Sequence, residues 1–310
     1  MNILVIGSGI MGNGIAQVFA QAGHKVILND LNMDILKVAQ KNIELQLKLL
    51  VKNELIDEKT ANTAFANIGL NDRLADCTKD VDMVIEAIPE KLELKEKLFR
   101  QLEELCPAKT IFATNTSGIS INTLAKGVQR KDKLIGTHFF MPAHLIPLVE
   151  VVCGKETSAE TIKTVMEVLA AAQKKPVKVA IDLPGFIGNR LQHALAREAM
   201  SLVQKGVATP EGVDEVVKSS LAIRLLFTGP VEQRDFNGLD THLSIAKYLY
   251  EDLEDSHVPL KILSDKVDEG KLGIKTGEGF YDWRNQIKEE VIAKKNQDLI
   301  DVLKFLKNKE

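Results

Sequence analysis

The sequence contains few cysteines, few aromatic residues and no large excess of either charge. Its 310 residues include three cysteines, far apart and without a C-x-x-C pair: Cys77, Cys106 and Cys153. This spacing is typical of reduced thiols, and none of the three is a convincing nucleophile or ligand, so we expect no metal site. A net charge of −3 argues against a nucleic acid as the main partner.

Long apolar runs are absent as well. No run approaches the roughly 18 residues of a membrane-spanning helix, so no membrane partner is expected. The first strand pattern begins within two residues of Met1, which leaves no room for a signal peptide and predicts a cytoplasmic protein. With 45% apolar and 27% charged residues, the composition is that of an ordinary globular protein, long enough for two domains.

What the sequence does contain is a glycine-rich turn close to its start. A buried-strand pattern at 3–6 leads into the G-x-G-x-x-G arrangement of Gly7, Gly9 and Gly12, followed by a helix face and a second strand. Gly7 permits a tight turn, Gly9 lets the backbone approach a pyrophosphate, and Gly12 lets the helix pack closely on the strand. A turn without a ligand is the alternative, but the register of all these parts favours a dinucleotide site.

The second strand ends at Asp30, the spacing at which such sites place an acid. A carboxylate accepts hydrogen bonds from both ribose hydroxyls but repels a 2′-phosphate, and no positive charge follows directly. The predicted cofactor is therefore NAD. Its phosphates are expected at the helix N-terminus, beside Ile10 and Met11.

Strand and helix patterns alternate up to about residue 184. Further strands are predicted at 81–88, 110–114, 134–140, 148–152 and 177–180, with helices at 92–105 and 158–173. Between the second strand and these elements, apolar residues at helical spacing predict a helical hairpin over 33–65, with a break near Asn53.

After residue 184 only helical patterns remain. Helices are predicted at 186–205, 210–219, 239–253, 259–269 and 287–307. The expected fold is α/β: a Rossmann-type NAD-binding domain with a helical-hairpin insertion over 1–184, followed by an all-helical domain for substrate binding and dimerisation over 185–310.

Ordered motifs along nearly the whole chain resemble the L-3-hydroxyacyl-CoA dehydrogenase family, the 3-hydroxybutyryl-CoA dehydrogenases in particular. They are GSGIMGNGIA at 7–16, EAIPE at 86–90, TNTS at 114–117, GTHFF at 136–140, LVEVV at 148–152, PGFIGNR at 184–190, GLD at 238–240 and GIKTGEGFY at 273–281. The resemblance implies an NAD-dependent oxidoreductase of fatty acid metabolism that reversibly oxidises a short-chain L-3-hydroxyacyl-CoA to the 3-ketoacyl-CoA.

The resemblance also implies a homodimer formed through the helical domain. Apolar positions on its first predicted helix offer a face for burial: Leu191, Leu195, Ala199, Leu202 and Val203. The same face can equally belong to the core of the domain.

The reaction needs a base that takes the hydroxyl proton while the hydride leaves, and a histidine titrates in the right range. His138 lies at the C-terminal end of a predicted strand, where open α/β sheets bind their ligands. Glu150, on the next strand, can orient the imidazole and stabilise its charged form. The catalytic pair of the family falls on these two residues. His144 is the nearest competitor, but it lies in a loop.

Four further polar residues match the family pattern near this pair. Ser117 and Asn189 are expected to act at the reacting oxygen, with a helix cap or an exposed amide as alternatives. Glu90 is expected at the nicotinamide ribose or, equally, as a surface carboxylate. Asn115 follows the same predicted strand as Ser117, at 110–114, and is assigned to the cofactor.

Departures from the family pattern concern the substrate. Met141 stands where the acyl-CoA enzymes usually carry Asn. Arg224 is similar to an Arg of relatives that act on free hydroxy acids, such as gulonate and carnitine dehydrogenases, and an Arg suits a carboxylate. A surface or subunit contact is its other interpretation. Lys48 and Lys52, one turn apart on the hairpin, can meet CoA phosphates, although such charges are usually only solvated.

Three hypotheses follow. The first is a short-chain 3-hydroxyacyl-CoA dehydrogenase, and the second is the same hydride chemistry on a free 3-hydroxy carboxylic acid. The third is a non-catalytic relative, as the lens crystallins of the family illustrate. Intact Ser117, His138, Glu150 and Asn189 argue against the third.

Overall fold

The computed structural model describes residues 1–309. Eight strands form one sheet in the spatial order β3-β2-β1-β4-β5-β6-β7-β8. They are β1 Asn2–Ile6, β2 Lys25–Asn29, β3 Ile68–Leu70, β4 Met83–Glu86, β5 Ile111–Thr114, β6 Leu134–Phe139, β7 Leu148–Val152 and β8 Lys175–Val179. Neighbouring strands are parallel except β6 and β7, which are antiparallel.

Six helices connect these strands: α1 Ile10–Gln21, α2 Met33–Lys52, α3 Glu58–Ala66, α4 Leu92–Leu105, α5 Ile121–Leu124 and α6 Ala159–Ala171. Helices α2 and α3 are the predicted hairpin, and each begins at a capping side chain. Asn32 accepts a hydrogen bond from the backbone N–H of Ile35 at 3.0 Å, and Asp57 accepts one from Thr60 at 2.7 Å.

The core lies on both faces of the sheet because side chains alternate along each strand. On β1, Ile3 and Val5 face the cluster that includes α1, α2 and α6. Leu4 and Ile6 face the other cluster, beside α4 and α5. The Rossmann-type fold class is confirmed.

The chain divides into two compact units. The first comprises Met1–Arg190 and the chain from Asp298 onward, and the second is Leu191–Gln297. The remaining helices are α7 Gly188–Gln204, α8 Pro210–Val216, α9 Ala222–Leu225, α10 Glu232–Asn237, α11 Leu239–Leu249, α12 Lys261–Asp268 and α13 Lys288–Lys307. The predicted domain boundary after residue 184 stays a proposal. Ile300, near the end of the chain, is buried in the first unit beside Leu50 and Leu145.

Several local features differ from the sequence prediction, among them the short helices α9 and α10, which were not predicted. The short edge strand β3 was not predicted, because three residues carry too little alternation. Residues 217–221 continue α8 as a π-helix instead of ending it at 219. Helix α7 begins at Gly188 rather than at 186, because Gly185 and Phe186 have positive φ angles of 78° and 49°. No helix within residues 1–309 is long and apolar enough to cross a membrane.

Candidate active site

The glycine-rich turn joins β1 to α1 with no room for larger residues at two positions. Gly7 has φ of 93°, and a Cβ there would lie 2.5 Å from the carbonyl oxygen of Ala87. A Cβ on Gly12 would lie 1.7 Å from the carbonyl oxygen of Gly7. At Gly9, the N-cap of α1, no atom lies within 4 Å of that position, and no side chain caps the helix. The first-turn amides of α1, including those of Ile10 and Met11, therefore have no side-chain cap, and uncapped amides at a helix N-terminus suit a phosphate.

Asp30 is held in place by the residue between the first two glycines. Its Oδ2 accepts hydrogen bonds from the backbone N–H of Ser8 at 2.6 Å and from the Ser8 hydroxyl at 2.7 Å. Its Oδ1 accepts one from the backbone of Leu31 at 2.7 Å. The carboxylate is thus oriented before any ribose arrives. Sequence reasoning missed Ser8, although a hydroxyl inside G-x-G was the available signal.

His138 and Glu150 face each other because the antiparallel register of β6 and β7 pairs them. Nδ1 of His138 donates a hydrogen bond to Oε2 of Glu150 at 2.7 Å. Both side chains are buried, with 5% and 1% of their surface exposed. Nε2 of His138 has no hydrogen-bond partner among the described residues. With Nδ1 bonded to the carboxylate, the neutral ring can accept a proton at Nε2.

The other oxygen of Glu150 binds the chain that leads into α7. Oε1 accepts hydrogen bonds from the backbone N–H groups of Ile187 at 2.9 Å and Gly188 at 2.8 Å. Burial alone raises the pKa of Glu150, but the bonds from His138 and these two amides outweigh it and leave the pKa below its ordinary value. The carboxylate is therefore held in its charged form.

Two phenylalanines enclose the imidazole. The ring centroids of Phe140 and Phe186 lie 4.6 and 5.6 Å from that of His138. A Cβ on Gly188 would lie 2.4 Å from Cζ of Phe140, so the turn needs glycine there. From the sequence, Phe186 and Gly188 are recognisable only as parts of the PGFIGNR motif. Their contacts with His138 and Phe140 depend on tertiary structure.

Ser117 and Asn189 are in contact, and Asn189 directly follows Gly188, which binds Glu150. Nδ2 of Asn189 donates a hydrogen bond to the carbonyl oxygen of Ser117 at 3.2 Å. The Ser117 side chain is exposed, and its backbone N–H donates to Oε1 of Glu90 at 3.0 Å. The same oxygen accepts bonds from Gly118 and from the hydroxyl of Thr116. Glu90 is thus more than a solvated carboxylate, since it organises the loop that carries Ser117.

A buried ion pair lies under this loop. Lys95 donates hydrogen bonds to both oxygens of Glu86, at 2.6 and 2.8 Å, and lies 3.2 Å from Oε2 of Glu90. Burial raises the pKa of Glu86, whereas at Glu90 the hydrogen bond from Thr116 and the charge of Lys95 outweigh burial and lower the pKa. Sequence reasoning missed Lys95, which gives no signal on a helix rich in lysine and glutamate.

Asn115 links two strands. Its Oδ1 accepts a hydrogen bond from the backbone N–H of Phe139 at 2.9 Å, beside His138. This contact engages its oxygen within the protein, and its assignment to the cofactor stays a prediction.

The residues assigned to the substrate are more exposed. Lys48 pairs with Glu44, and Lys52 is exposed on the same helix, α2. Met141 is 67% exposed. Arg224 is exposed on α9, in the second unit. Their roles stay predictions.

His144, the competing histidine, is largely buried. Burial and the charge of Lys174 lower the pKa of His144 to about 4. Lys174 itself donates hydrogen bonds to the carbonyl oxygens of Ala143 at 2.6 Å and Ile146 at 2.9 Å. A histidine with so low a pKa is a poor base near neutral pH. Within residues 1–309, no three His, Cys, Asp or Glu side chains are grouped to hold a metal ion.

Comparison with known proteins places these features in a family. The family model described as "3-hydroxyacyl-CoA dehydrogenase, NAD binding domain" matches residues 2–182, and "3-hydroxyacyl-CoA dehydrogenase, C-terminal domain" matches residues 185–283. A probable 3-hydroxybutyryl-CoA dehydrogenase of Deinococcus radiodurans is 40% identical, over 91% of this chain and 99% of its own length.

Two relatives match the chain almost to its end. A 5-formyl-3-hydroxy-2-methylpyridine 4-carboxylate 5-dehydrogenase of Mesorhizobium japonicum is 32% identical, over 100% of this chain and 99% of its own. A crystal structure of an enzyme of that name, described as an NAD+ dependent dismutase, has a TM-score of 0.92 at 30% identity, covering 99% and 98% of the two chains. A 3-hydroxyacyl-CoA dehydrogenase structure from Archaeoglobus fulgidus has a TM-score of 0.69 at 30% identity and covers 99% of both chains.

Proposed function

Because the chain belongs to the 3-hydroxyacyl-CoA dehydrogenase family of NAD-dependent oxidoreductases, we propose that it oxidises a secondary alcohol with His138 and Glu150 as catalytic pair. The observation that carries this assignment is the 2.7 Å bond between Nδ1 and the Glu150 carboxylate, which leaves Nε2 as the proton acceptor. NAD, when bound, supplies the hydride acceptor.

In the oxidation, Nε2 of His138 takes the hydroxyl proton of the substrate. The imidazolium that forms is stabilised by the adjacent charged Glu150. In the reverse direction the same nitrogen returns the proton to the carbonyl oxygen. Phe140 and Phe186 exclude water from the ring, which strengthens its interaction with Glu150.

Ser117 and Asn189 are proposed to position the reacting oxygen. The Ser117 hydroxyl is exposed at the end of β5, and the Asn189 amide is already directed to the Ser117 backbone. Hydrogen-bond donors that face the oxygen stabilise the charge that develops on it. Gly7, Gly9, Gly12, Asp30 and Glu90 are proposed to hold NAD.

The first candidate substrate is a short-chain L-3-hydroxyacyl-CoA. The 40% identity to a probable 3-hydroxybutyryl-CoA dehydrogenase supports it, as do the retained hairpin and its exposed Lys48 and Lys52. On this assignment the protein acts in fatty acid metabolism, and we propose a cytoplasmic location.

The second candidate is a small free carboxylic acid. The similarity over the full chain to the pyridine carboxylate dehydrogenase favours it. The end of α13 also lies beyond the C-terminal family match and packs Ile300 against Leu50 of the hairpin. The similar length of the archaeal acyl-CoA relative shows that chain length alone does not decide between the two candidates.

A substrate comparison with purified protein separates the candidates. NADH oxidation is followed with acetoacetyl-CoA and with free 3-keto acids. Higher kcat/KM with the thioester supports the first candidate, and higher kcat/KM with a free 3-keto acid supports the second. No turnover of any of them contradicts the proposed function.

We further propose a homodimer. Apolar side chains in the second unit, Leu191 and Leu195 on α7 and Phe227 and Phe236 beyond it, are between 45% and 71% exposed in the single chain. Apolar exposure of this extent is typical of a protein interface. Sedimentation at micromolar concentration is expected to give a dimer, and a monomer would contradict the proposal.

A further inference from the structure

The chain between β8 and α7 is bound to the sheet at both of its ends. We call residues 182–189 the strap. At its start, Oδ2 of Asp182 accepts hydrogen bonds from the Ser120 hydroxyl at 2.6 Å and from the backbone and side-chain N–H groups of Asn122, both at 2.9 Å. These donors stand just beyond Ser117, at the start of α5. Asp182 therefore joins the strap to the loop that carries Ser117.

The other end of the strap binds the candidate catalytic pair. The backbone N–H groups of Ile187 and Gly188 donate to Glu150, and Asn189 donates to the Ser117 carbonyl oxygen. Only a few residues, two of them with positive φ, separate these contacts from Asp182. Asp182 and the amides that bind Glu150 are thus joined by a short stretch of chain.

One feature of Asp182 is unfavourable for folding. Its Oδ1 is buried and has no hydrogen-bond partner among the described residues. An unpaired buried acceptor costs free energy, which the three bonds at Oδ2 must offset.

We propose that Asp182 is a positioning residue for the dehydrogenase reaction. By fixing the strap to the start of α5, it holds the backbone amides on Glu150 and keeps Asn189 against Ser117. This inference rests on the proposed roles of His138, Glu150 and Ser117. The anchoring itself is a property of the fold that can be measured without substrate.

Asp182→Ala is the test variant, and Asp82→Ala is its matched control. Asp82 makes a comparable anchor directly before β4, where it accepts hydrogen bonds from the Asn2 backbone at 2.9 Å and from Lys109 at 2.8 Å. Both variants lose a carboxylate that joins two chain segments. Comparison with Asp82→Ala therefore separates a general loss of stability from an effect on the site.

Asp182→Ala is expected to lower kcat roughly 10- to 100-fold, since misplacement of about 1 Å costs rates of this order. KM for NADH is expected to stay within about twofold, because the glycine-rich turn is not touched. Amide hydrogen exchange in peptides spanning 183–190 should accelerate, as for a segment that opens locally. Asp182→Asn keeps the acceptor oxygen and should restore kcat to within about threefold of wild type.

Three results overturn the proposal. The first is unchanged exchange of 183–190 in Asp182→Ala. The second is an equal loss of kcat in Asp182→Ala and Asp82→Ala. The third is Asp182→Asn that is as impaired as Asp182→Ala. If the wild type turns over none of the substrates, the proposed function fails, and the exchange measurement still decides whether Asp182 anchors the strap.

Discussion

The residues proposed for chemistry and those proposed for substrate binding differ in how the structure holds them. His138 and Glu150 are buried and joined to each other, and Glu150 is further bound by two backbone amides. Lys52 and Arg224 are exposed and make no side-chain hydrogen bond or ion pair within the described residues. The proposed catalytic groups are thus arranged before the substrate binds, whereas no hydrogen bond or ion pair within residues 1–309 fixes the side chains of Lys52 and Arg224, the groups proposed to bind the substrate.

The largest effect is expected at the buried pair of His138 and Glu150. His138→Ala should lower kcat roughly 10²- to 10⁴-fold, the usual contribution of a general acid-base. NADH affinity should be nearly unchanged, because the glycine-rich turn lies between β1 and α1, whereas His138 is on β6. Steady-state kinetics and NADH titration check both. If the variant kept more than about a third of the wild-type kcat, the buried pair would not be the catalytic one.

The oriented Asp30 predicts strong selection between cofactors. NAD should exceed NADP by at least about 100-fold in kcat/KM, since a 2′-phosphate brings a like charge to the Asp30 carboxylate, at a cost of several kcal/mol if the carboxylate is desolvated. Parallel assays with the two cofactors measure the ratio. Equal efficiencies would show that the bonds from Ser8 to Asp30 do not govern the choice of nucleotide.

Glu150→Gln tests whether the pair works as one unit. The charged Glu150 stabilises the imidazolium that forms during the reaction, so its removal should shift the pH profile of kcat. A fall in kcat of roughly 10- to 100-fold is expected, smaller than for His138→Ala. A profile that keeps its position would mean that Glu150 holds the ring without affecting its charge.

Substitution of the exposed Arg224 is expected to have an effect that depends on the substrate. If Arg224 binds a carboxylate, Arg224→Met should raise KM for a free 3-hydroxy acid roughly 10- to 100-fold, which corresponds to the loss of a charge-assisted bond. Activity on acetoacetyl-CoA should barely change. Loss with the thioester alone would place Arg224 near CoA.

The smallest effect is expected at Met141, where the family usually carries Asn. Met141→Asn should raise kcat/KM for acetoacetyl-CoA by about 2- to 10-fold if the thioester is the natural substrate, through one added polar contact. With a free acid as natural substrate it should do little or reduce activity. Kinetics with both substrates in the same variant distinguish the two outcomes.

Much of the fold follows from local patterns in the chain. Helix α4 and strand β7 have the predicted bounds, 92–105 and 148–152, because their apolar spacing is regular and long enough. Strand β3 escaped prediction because it consists of three residues on an edge. The start of α7 was misplaced because Phe186, whose ring packs against His138, has a positive φ that no local preference reveals.

The candidate site was predictable wherever a residue type carries its own chemistry. A histidine at a strand end, an acid after the second strand and spaced glycines each predict their role from sequence. Ser8, Lys95 and Asp182 are different, because each acts through hydrogen bonds to residues that only the tertiary structure brings close to it.

The sequence by itself determined most of the strands and helices, the glycine-rich turn and the candidates His138 and Glu150. These depend on local periodicity, on glycine and on side-chain chemistry. Only the tertiary structure decided that the two side chains meet, since the antiparallel register of β6 and β7 sets them opposite each other. It also decided how they are held, because the amides of Ile187 and Gly188 reach Glu150 only when the chain after β8 folds back across the sheet.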